Sequence, residues 1–265
     1  FNGNSAEFIL GTNQFNLLWG NVIKFLYLIL FFLLTSCGSN YEWGWYIISP
    51  DKLEGLSNLK FLISGIGITV YISIISIIIS MVIGLIIAIP SLAKNKILTY
   101  INIGYVEIVR AIPLLVLILW VYYGLPILTG FSFTPFTSGI IALSISESAF
   151  QAEIFRAGIN SIKKSQWEAS SSLGLTFFKK LRFIILPQAI KTILPALGNQ
   201  FVYVLKMSSL VSVIGIADLT RKANELVTTT YRPLEIYTFL ILEYLILILI
   251  VSYYVRKLEN KLKYK

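Results

Sequence analysis

Long uncharged stretches alternate along this chain with short polar segments rich in Lys and Arg. The clearest apolar stretch runs from Phe61 to Ile89 without one charged residue. A helix rises about 1.5 Å per residue and needs roughly 20 apolar residues to cross a ~30 Å hydrocarbon layer, so this segment spans with room for tilt. Its small residues Ser64, Gly65, Gly67, Ser73, Ser76, Ser80 and Gly84 predict close contacts with neighbouring helices. Segment 105–126 opens with Glu107 and Arg110 and holds Pro113; segment 138–155 is shorter and holds Glu147 and Gln151. Segment 186–216 is interrupted by Pro187, Pro195 and Lys206, and segment 236–255 contains Glu243. The pattern predicts an all-α integral membrane protein with five core transmembrane helices. An extra N-terminal one, at 22–37, is ambiguous, because its uncharged core Phe25–Ser36 suits a short span or a signal-like apolar region equally.

Composition narrows the class. Hydrophobic residues make up 56% of the 265 positions and charged ones 13%, about half the usual share in a soluble domain. The expected organisation is an N-terminal extension over 1–55, a membrane domain over 56–258 and a cytoplasmic tail over 259–265. There is no His, which excludes a His-built metal or acid–base site, and the one Cys, Cys37, excludes an internal disulfide. Leu34-Thr35-Ser36-Cys37 resembles a lipoprotein processing box, but so short a match arises easily by accident, and a membrane-edge Cys is the better reading. A start at Phe1 rather than Met fits a fragment or a processed chain.

The net charge of +9 would suggest nucleic acid in a soluble protein. Here the bases cluster beside apolar segments, so they report topology, and no nucleic acid is expected. Lys94 and Lys96 lie in one turn; Arg156, Lys163, Lys164, Lys179, Lys180 and Arg182 in the 156–182 loop; Arg256, Lys257, Lys261, Lys263 and Lys265 at the C-terminal end. The 127–137 loop has no base, and the 217–235 loop balances Arg221, Lys222 and Arg232 against Asp218, Glu225 and Glu235. One alternating arrangement accommodates all of this, with 94–96, 156–182 and the C-terminus inside and 38–60, 127–137 and 217–235 outside. Lys24 fits an inside N-terminus if segment 22–37 spans.

The 156–182 loop has its own pattern. Ser165 to Leu173 reads as a short helix, with Ser165 as N-cap, Glu168 completing a capping box and Gly174 suited to the helix end. Ala169 to Ser172 are small and would let another protein's backbone approach. Taken alone, these features read better as a simple amphipathic surface helix.

The run Glu168-Ala169-Ser170, then Gly174, then Ile184-Ile185-Leu186-Pro187 resembles the EAA loop of ABC importer permeases, with nine residues between Gly174 and Ile184. Ser170 stands where the family has a second Ala and Ser165 where it usually has Gly. Arg110-Ala111-Ile112-Pro113-Leu114-Leu115 and Ala149-Phe150-Gln151-Ala152-Glu153-Ile154-Phe155-Arg156-Ala157-Gly158-Ile159 resemble elements of the polar amino-acid (histidine/glutamine-type) permeases. So do Leu186-Pro187-Gln188-Ala189, Leu194-Pro195-Ala196-Leu197-Gly198-Asn199 and Lys206-Met207-Ser208-Ser209-Leu210, with Met207 as a departure. The likeness covers roughly residues 60–256.

That resemblance implies a type I ABC importer permease fold in a bacterial cytoplasmic (inner) membrane, multi-pass, with a cytoplasmic C-terminus. It implies a permease subunit of an ATP-driven amino-acid importer, with no catalytic residues and no cofactor of its own; ATP is used by a partner ATPase. The implied partners are a cytoplasmic ATPase dimer, a second permease that is identical or paralogous, an extracytoplasmic amino-acid-binding protein and membrane lipid. Ser165, Gln166, Glu168, Ala169, Ser170, Leu173 and Gly174 would couple to the ATPase. Glu147, Gln151, Asn199, Lys206 and Ser209 are candidates for the substrate path, since ionisable and polar groups at membrane depth usually face a cavity or a protein interior. Glu107, Arg110, Glu153 and Arg156 read better as interhelical pairs or residues near the cytoplasmic mouth. A secondary transporter or channel for small polar solutes is the alternative, but no clear inverted repeat is visible. A membrane enzyme is a further rival, without an H-E-x-x-H or Gly-x-Ser-x-Gly motif to support it, and no Walker sequence marks the chain as the ATPase.

Overall fold

A computed structural model of the chain describes residues 41–92 and 96–263, so segment 22–37, Lys24, Cys37 and Lys94 lie outside the described residues. Packing divides the chain into two units, Phe1–Trp43 and Gly44–Lys265, and every helix of the bundle belongs to the second. Among the described residues there is no strand.

The helices are α1 (Leu53–Ile63), α2 (Gly65–Leu92), α3 (Lys96–Ala111), α4 (Leu114–Thr129), α5 (Pro135–Asn160), α6 (Lys164–Ser172), α7 (Phe177–Ile214), α8 (Leu219–Thr230) and α9 (Pro233–Lys263). Among the described residues, three helical stretches are long and apolar enough to cross a membrane: Leu53–Ile89, which joins α1 to α2; α7; and α9. The expected single span 105–126 is instead two helices, α3 and α4, bent through 93°. The break falls at Pro113, which has no N–H to donate and forces the preceding residue out of the helical region. Taken as one broken span, the bent pair is long and apolar enough to be a fourth crossing.

Helix α5 is long enough for a span, 26 residues or about 39 Å at 1.5 Å per residue, yet it is the least lipid-like of the long helices. Its location explains the composition: Ser138, Ser144, Ser146, Glu147, Ser148 and Gln151 are all buried inside the bundle. A polar side chain in a membrane is tolerated where protein rather than lipid surrounds it.

Helices α2 and α5 run parallel, in contact along their length. Gly139 lies on Ile72, Ser144 donates to the Ser76 carbonyl at 3.4 Å, and Gly84 abuts Ser148, Gln151 and Ala152. Helix α7 runs antiparallel to α5, with Gly158 on Ile193 and Phe150 beside Tyr203. Helix α9 runs antiparallel to α7, with Val255 on Gly198. These directions place the 161–176 connection and the C-terminal end of α9 at one end of the bundle, and the 130–134 and 215–232 connections at the other. The small-residue expectation holds for Ser73, Ser76, Ser80, Gly65 and Gly84, which are buried between helices, but Ser64 and Gly67 are exposed. Those two lie on the outer side at the α1–α2 junction, where nothing packs within 4 Å of a Cβ built on Gly67.

Two of the core layers join α5 to its neighbours at its two ends. Ile72, Ile118, Val121, Leu143, Val211 and Ile214 join α2, α4, α5 and the end of α7, while Ile159, Leu181, Ile185, Ala189 and Ile193 join α5 to the start of α7. Wide π turns at Trp120–Gly124 and Leu181–Ile185 each end two residues before a proline, Pro126 and Pro187. A proline clashes with the carbonyl four residues earlier, and a widened turn relieves that clash without ending the helix.

Helix α8 starts at Asp218, whose carboxylate accepts from the Arg221 amide at 2.9 Å. Burial pushes the Asp218 carboxyl up to about 6, against the downward pull of the capped amides. A folded-state value above the unfolded one stabilises the fold at low pH and loses that contribution as pH rises through the folded value. Stability is therefore expected to fall by about 1–1.5 kcal/mol between pH 5 and pH 8 on account of this group. Asp218→Asn keeps the cap and should flatten that part of the profile, read as the melting temperature of the detergent-solubilised protein at the two pH values. A second expectation concerns the α2–α5 seam. A Cβ on Gly84 would lie 2.6 Å from the Gln151 Cβ and 2.9 Å from the Ala152 nitrogen and the Ser148 oxygen. Backbone cannot give way cheaply, so Gly84→Ala should cost about 1–3 kcal/mol, seen as a lowered melting temperature.

Candidate functional site: an exposed connecting helix and a polar helix face

Helix α6 is held against the bundle by one edge only. Trp167 stacks on Phe177, 6.3 Å between ring centres, and packs with Ile162 against the core layer formed by Ile159, Leu181 and Ile185. Ser170, one turn on, is 1% exposed. The remaining positions, Ser165, Gln166, Glu168, Ala169, Ser171, Ser172 and Leu173, face outward. Leu173, a large apolar side chain, is 74% exposed, and Phe178 beside the same connection is 71% exposed.

The serines do not disturb this surface. Ser170 and Ser171 donate to the Trp167 carbonyl, both at 2.8 Å, and Ser172 donates to the Glu168 carbonyl at 3.2 Å. Their hydroxyl groups turn back onto the helix, leaving a low-relief outer face. Lys180 donates to the Ser171 hydroxyl at 2.8 Å, and Gln188 reaches Gln166 at 3.4 Å, so side chains of α7 brace both ends of α6.

Gly174 ends the helix as expected, at φ 69°. The Gly174 amide donates to the Ser171 carbonyl at 2.9 Å and the Leu175 amide to the Ser170 carbonyl at 3.3 Å. These two bonds make a Schellman motif, for which glycine is suited by its lack of a Cβ. The start of the helix differs from expectation. Lys163 occupies the cap position and offers no side-chain acceptor, and Ser165 already lies within the helix. The Gln166 amide donates to the Lys163 carbonyl at 2.9 Å, a tight first turn that begins the helix earlier than the Ser165 pattern suggests. Glu168 therefore completes no capping box and pairs instead with Lys164 at 3.3 Å, both side chains exposed. Such a pair contributes only a few tenths of a kcal/mol, so the Glu168 carboxylate is free to exchange partners.

The path candidates separate into two sets. Glu147 and Gln151 are buried within the bundle, and Glu147 accepts a short hydrogen bond from the Gln200 amide, joining α5 to α7. Neither polar atom of the Gln151 amide has a hydrogen-bond partner. Asn199, Tyr203 and Lys206, at i, i+4 and i+7, form an exposed stripe on α7, with Ser209 half-buried beyond it. Asn199 donates to Glu259 at 3.5 Å and Ser209 to the Lys206 carbonyl at 2.8 Å. The four-residue spacing of Glu147 and Gln151 thus puts them on a shared face, but one that is closed off in this conformation.

The residues expected to pair between helices do so only in part: Glu153 and Arg156 pair within α5 at 2.8 Å, and Arg110 lies over the Phe150 ring at 4.9 Å. Met207, the departure in its motif, packs against the core layer of α2, α4 and α5, where its thioether fills space. Sequence reasoning singled out neither Trp167 as the anchor nor Gln200 as the partner of Glu147. A lone Trp in a polar stretch was the available signal for the first; nothing in the spacing signalled the second.

A bundle with a broken second crossing, a sheltered polar helix and an exposed helical connection belongs to the type I importer permeases, a class of membrane transport subunit. The model of the family described as binding-protein-dependent transport system inner membrane component matches residues 80–264. The chain belongs to this family. It is 35% identical over 213 residues to the arginine transport system permease protein ArtQ of Bacillus subtilis (strain 168), covering 80% of this chain and 97% of that relative. It is 34% identical over 206 residues to the glutamine transport system permease protein GlnP of Escherichia coli (strain K12), covering 77% and 94%. Among solved structures it is similar to a chain of an amino acid ABC transporter with histidines, with a TM-score of 0.73 and 39% identity over 80% of this chain and 99% of that one.

The left-handed Gly174 yields a test of the exposed helix. Gly174→Ala should cost roughly 1–2 kcal/mol locally. Amide hydrogen exchange in Ser170–Leu175 should accelerate by about 5- to 30-fold, with exchange in the core of α5 unchanged.

Proposed function

We propose that this chain is the permease subunit of an ATP-driven amino-acid importer, and that α6 is the helix through which a cytoplasmic ATPase drives it. The names of the similar permeases, arginine and glutamine transport systems, support the substrate class. The observation that carries the coupling role is α6 itself: a braced helix with a glycine-capped end, whose outer face sets the small Ser165, Ala169, Ser171 and Ser172 beside Leu173, Gln166 and Glu168. A protein groove can close on such a face, with Leu173 as an apolar knob and Glu168 as an exchangeable charge. Ser165, Gln166, Ala169 and Ser170 complete the docking segment, Ser170 from its inner side.

Mechanically, Trp167 and the Lys180 and Gln188 contacts tie α6 to the start of α7. Displacement of α6 by a closing ATPase would therefore move α7 as a body and, through Gly158 and Ile193, α5 with it. The π turn at Leu181–Ile185 gives α7 a place to flex. ATP is used by the partner, and the permease supplies the path and the lever.

In this reading, which the alternating bases support, α6 and the C-terminal end of α9 lie on the cytoplasmic side of a bacterial inner membrane. The exposed stripe of Asn199, Tyr203 and Lys206 lies in a spanning helix, where lipid contact would be costly. A second permease, identical or paralogous, covers that stripe in this reading, and the path runs between the two. Glu147 and Gln151 open to the path when the bundle rearranges, offering a carboxylate and an amide to a zwitterionic substrate. An extracytoplasmic amino-acid-binding protein delivers that substrate to the opposite end.

Glu168→Lys reverses the charge on the docking face and sets two cations one turn apart. Uptake of labelled amino acid by the reconstituted complex should fall at least about tenfold, with membrane abundance normal and basal ATP hydrolysis persisting. Unchanged uptake at normal abundance would remove α6 from the coupling role.

A further inference from the structure

We propose that the last turns of α9 form a binding site for the headgroup of an anionic phospholipid, built from Tyr254, Lys257 and Lys261. The inference goes beyond the transport reading and uses from it only that α9 spans a membrane.

The argument starts from which side of α9 is covered. Val255 lies on Gly198, where an added Cβ would come within 2.6 Å, and Glu259 accepts from Asn199 at 3.5 Å. These contacts define the face of α9 that packs on α7. At 3.6 residues per turn, positions 242, 246, 249, 250, 253, 254, 257 and 261 fall on the opposite side. Leu242, Ile246, Leu249, Ile250, Tyr253, Tyr254, Lys257 and Lys261 are all exposed, as that geometry requires.

Along this outward side the chemistry changes in one direction. Four large aliphatic side chains come first. An edge-on aromatic pair follows, Tyr253 and Tyr254 at 5.7 Å. Two lysines complete it. Aliphatic, then aromatic, then basic is the order met on passing from hydrocarbon through the interface to the headgroups. Tyr254, Lys257 and Lys261 lie at i, i+3 and i+7, on one stripe. Neither lysine makes an ion pair among the described residues, and the neighbouring acid, Glu259, points to the packed side. Two ammonium groups one turn apart can hold one phosphate between them, with the Tyr254 hydroxyl at the glycerol level above.

A second protein helix is a poorer occupant. Close helix packing in a membrane uses small residues or polar groups at the contact, and Leu242, Ile246, Leu249 and Ile250 are neither. An anionic lipid satisfies both halves of the stripe: acyl chains along the aliphatic part and a net negative headgroup at the lysines. Near a membrane surface each Lys contributes about 1 kcal/mol to such binding, or about fivefold in affinity.

Native mass spectrometry of the full-length detergent-solubilised protein, titrated with phosphatidylglycerol or phosphatidylcholine, tests this. Micelles leave both ends accessible, so the outcome is independent of membrane orientation and of transport. Retention of phosphatidylglycerol should exceed that of phosphatidylcholine. Retention should fall about 30-fold in K257Q/K261Q, be restored in K257R/K261R, and be unaffected in the control Lys60→Gln. Equal retention of the two lipids, or undiminished phosphatidylglycerol in K257Q/K261Q, would overturn the proposal. Full displacement of the lipid by inorganic phosphate would make this a free-anion site instead, and a disulfide between Cys introduced at Leu249 in two copies, formed in native membranes, would make the face a protein contact.

Discussion

Everything in this molecule answers to one constraint: at membrane depth, a polar group without a protein partner costs several kcal/mol. The bundle is arranged so that α5, which buries more polar side chains than any other described helix, is wrapped by α2, α3, α4 and α7. Two serines in the α2–α5 seam return their hydroxyls to their own helix, Ser73 to the Thr69 carbonyl and Ser80 to the Ile77 carbonyl, while Ser144 donates across it to the Ser76 carbonyl. Tyr105 reaches Ser148 at 2.6 Å, and Asn102 reaches the Ile87 carbonyl at 2.8 Å. The Glu147–Gln200 bond does the same across α5 and α7. Among the described residues the Ser76 and Ser138 hydroxyls, the Gln151 amide and the Glu243 carboxylate are left buried without a hydrogen-bond partner, and Lys206 is exposed on a spanning helix.

The same constraint explains the placement of irregular backbone. Helix α7 is threaded with Pro187 and Pro195 and contains a π turn just before the first of them, yet it stays helical through its length, the widened turn accommodating Pro187. At Pro113 no such accommodation occurs and the second crossing folds through 93°. Irregularity near α6 has another use. A helix fastened by a stacked Trp at one edge and by a glycine cap at its end moves with the element it is fastened to. In the proposed coupling role it would act as a lever, where an unstructured connection would absorb displacement.

Much of the architecture could be read from the chain alone. The segments 61–89, 138–155, 186–216 and 236–255 each correspond to a long helix, because periodic and continuous apolarity is a local property. The α6 helix and its Gly174 terminus were readable for the same reason: a left-handed helix end favours glycine, although α8 ends on the left-handed Tyr231, at φ 55°. The start of α6 was not, since a Ser-to-Glu spacing marks a cap only if the chain enters the helix at the Ser, and entry here is set by how α5 ends at Asn160. The bend at Pro113 was likewise only half visible. Proline marks a place where a helix can break, but whether a widened turn rescues it depends on the neighbours.

The sequence by itself determined that this is a helical membrane protein of a transport family, with bases gathered at one end and a capped helix in one of its connections. Hydrophobicity, charge and turn chemistry act within a few residues, so they are written in order along the chain. The tertiary structure alone decided which face each helix shows: that Glu147 meets Gln200, that Trp167 anchors α6 while Leu173 stands free, and that α9 turns Val255 inward and Lys257 outward. Those outcomes depend on pairings between residues up to dozens of positions apart, and such pairings come into being only when the helices pack.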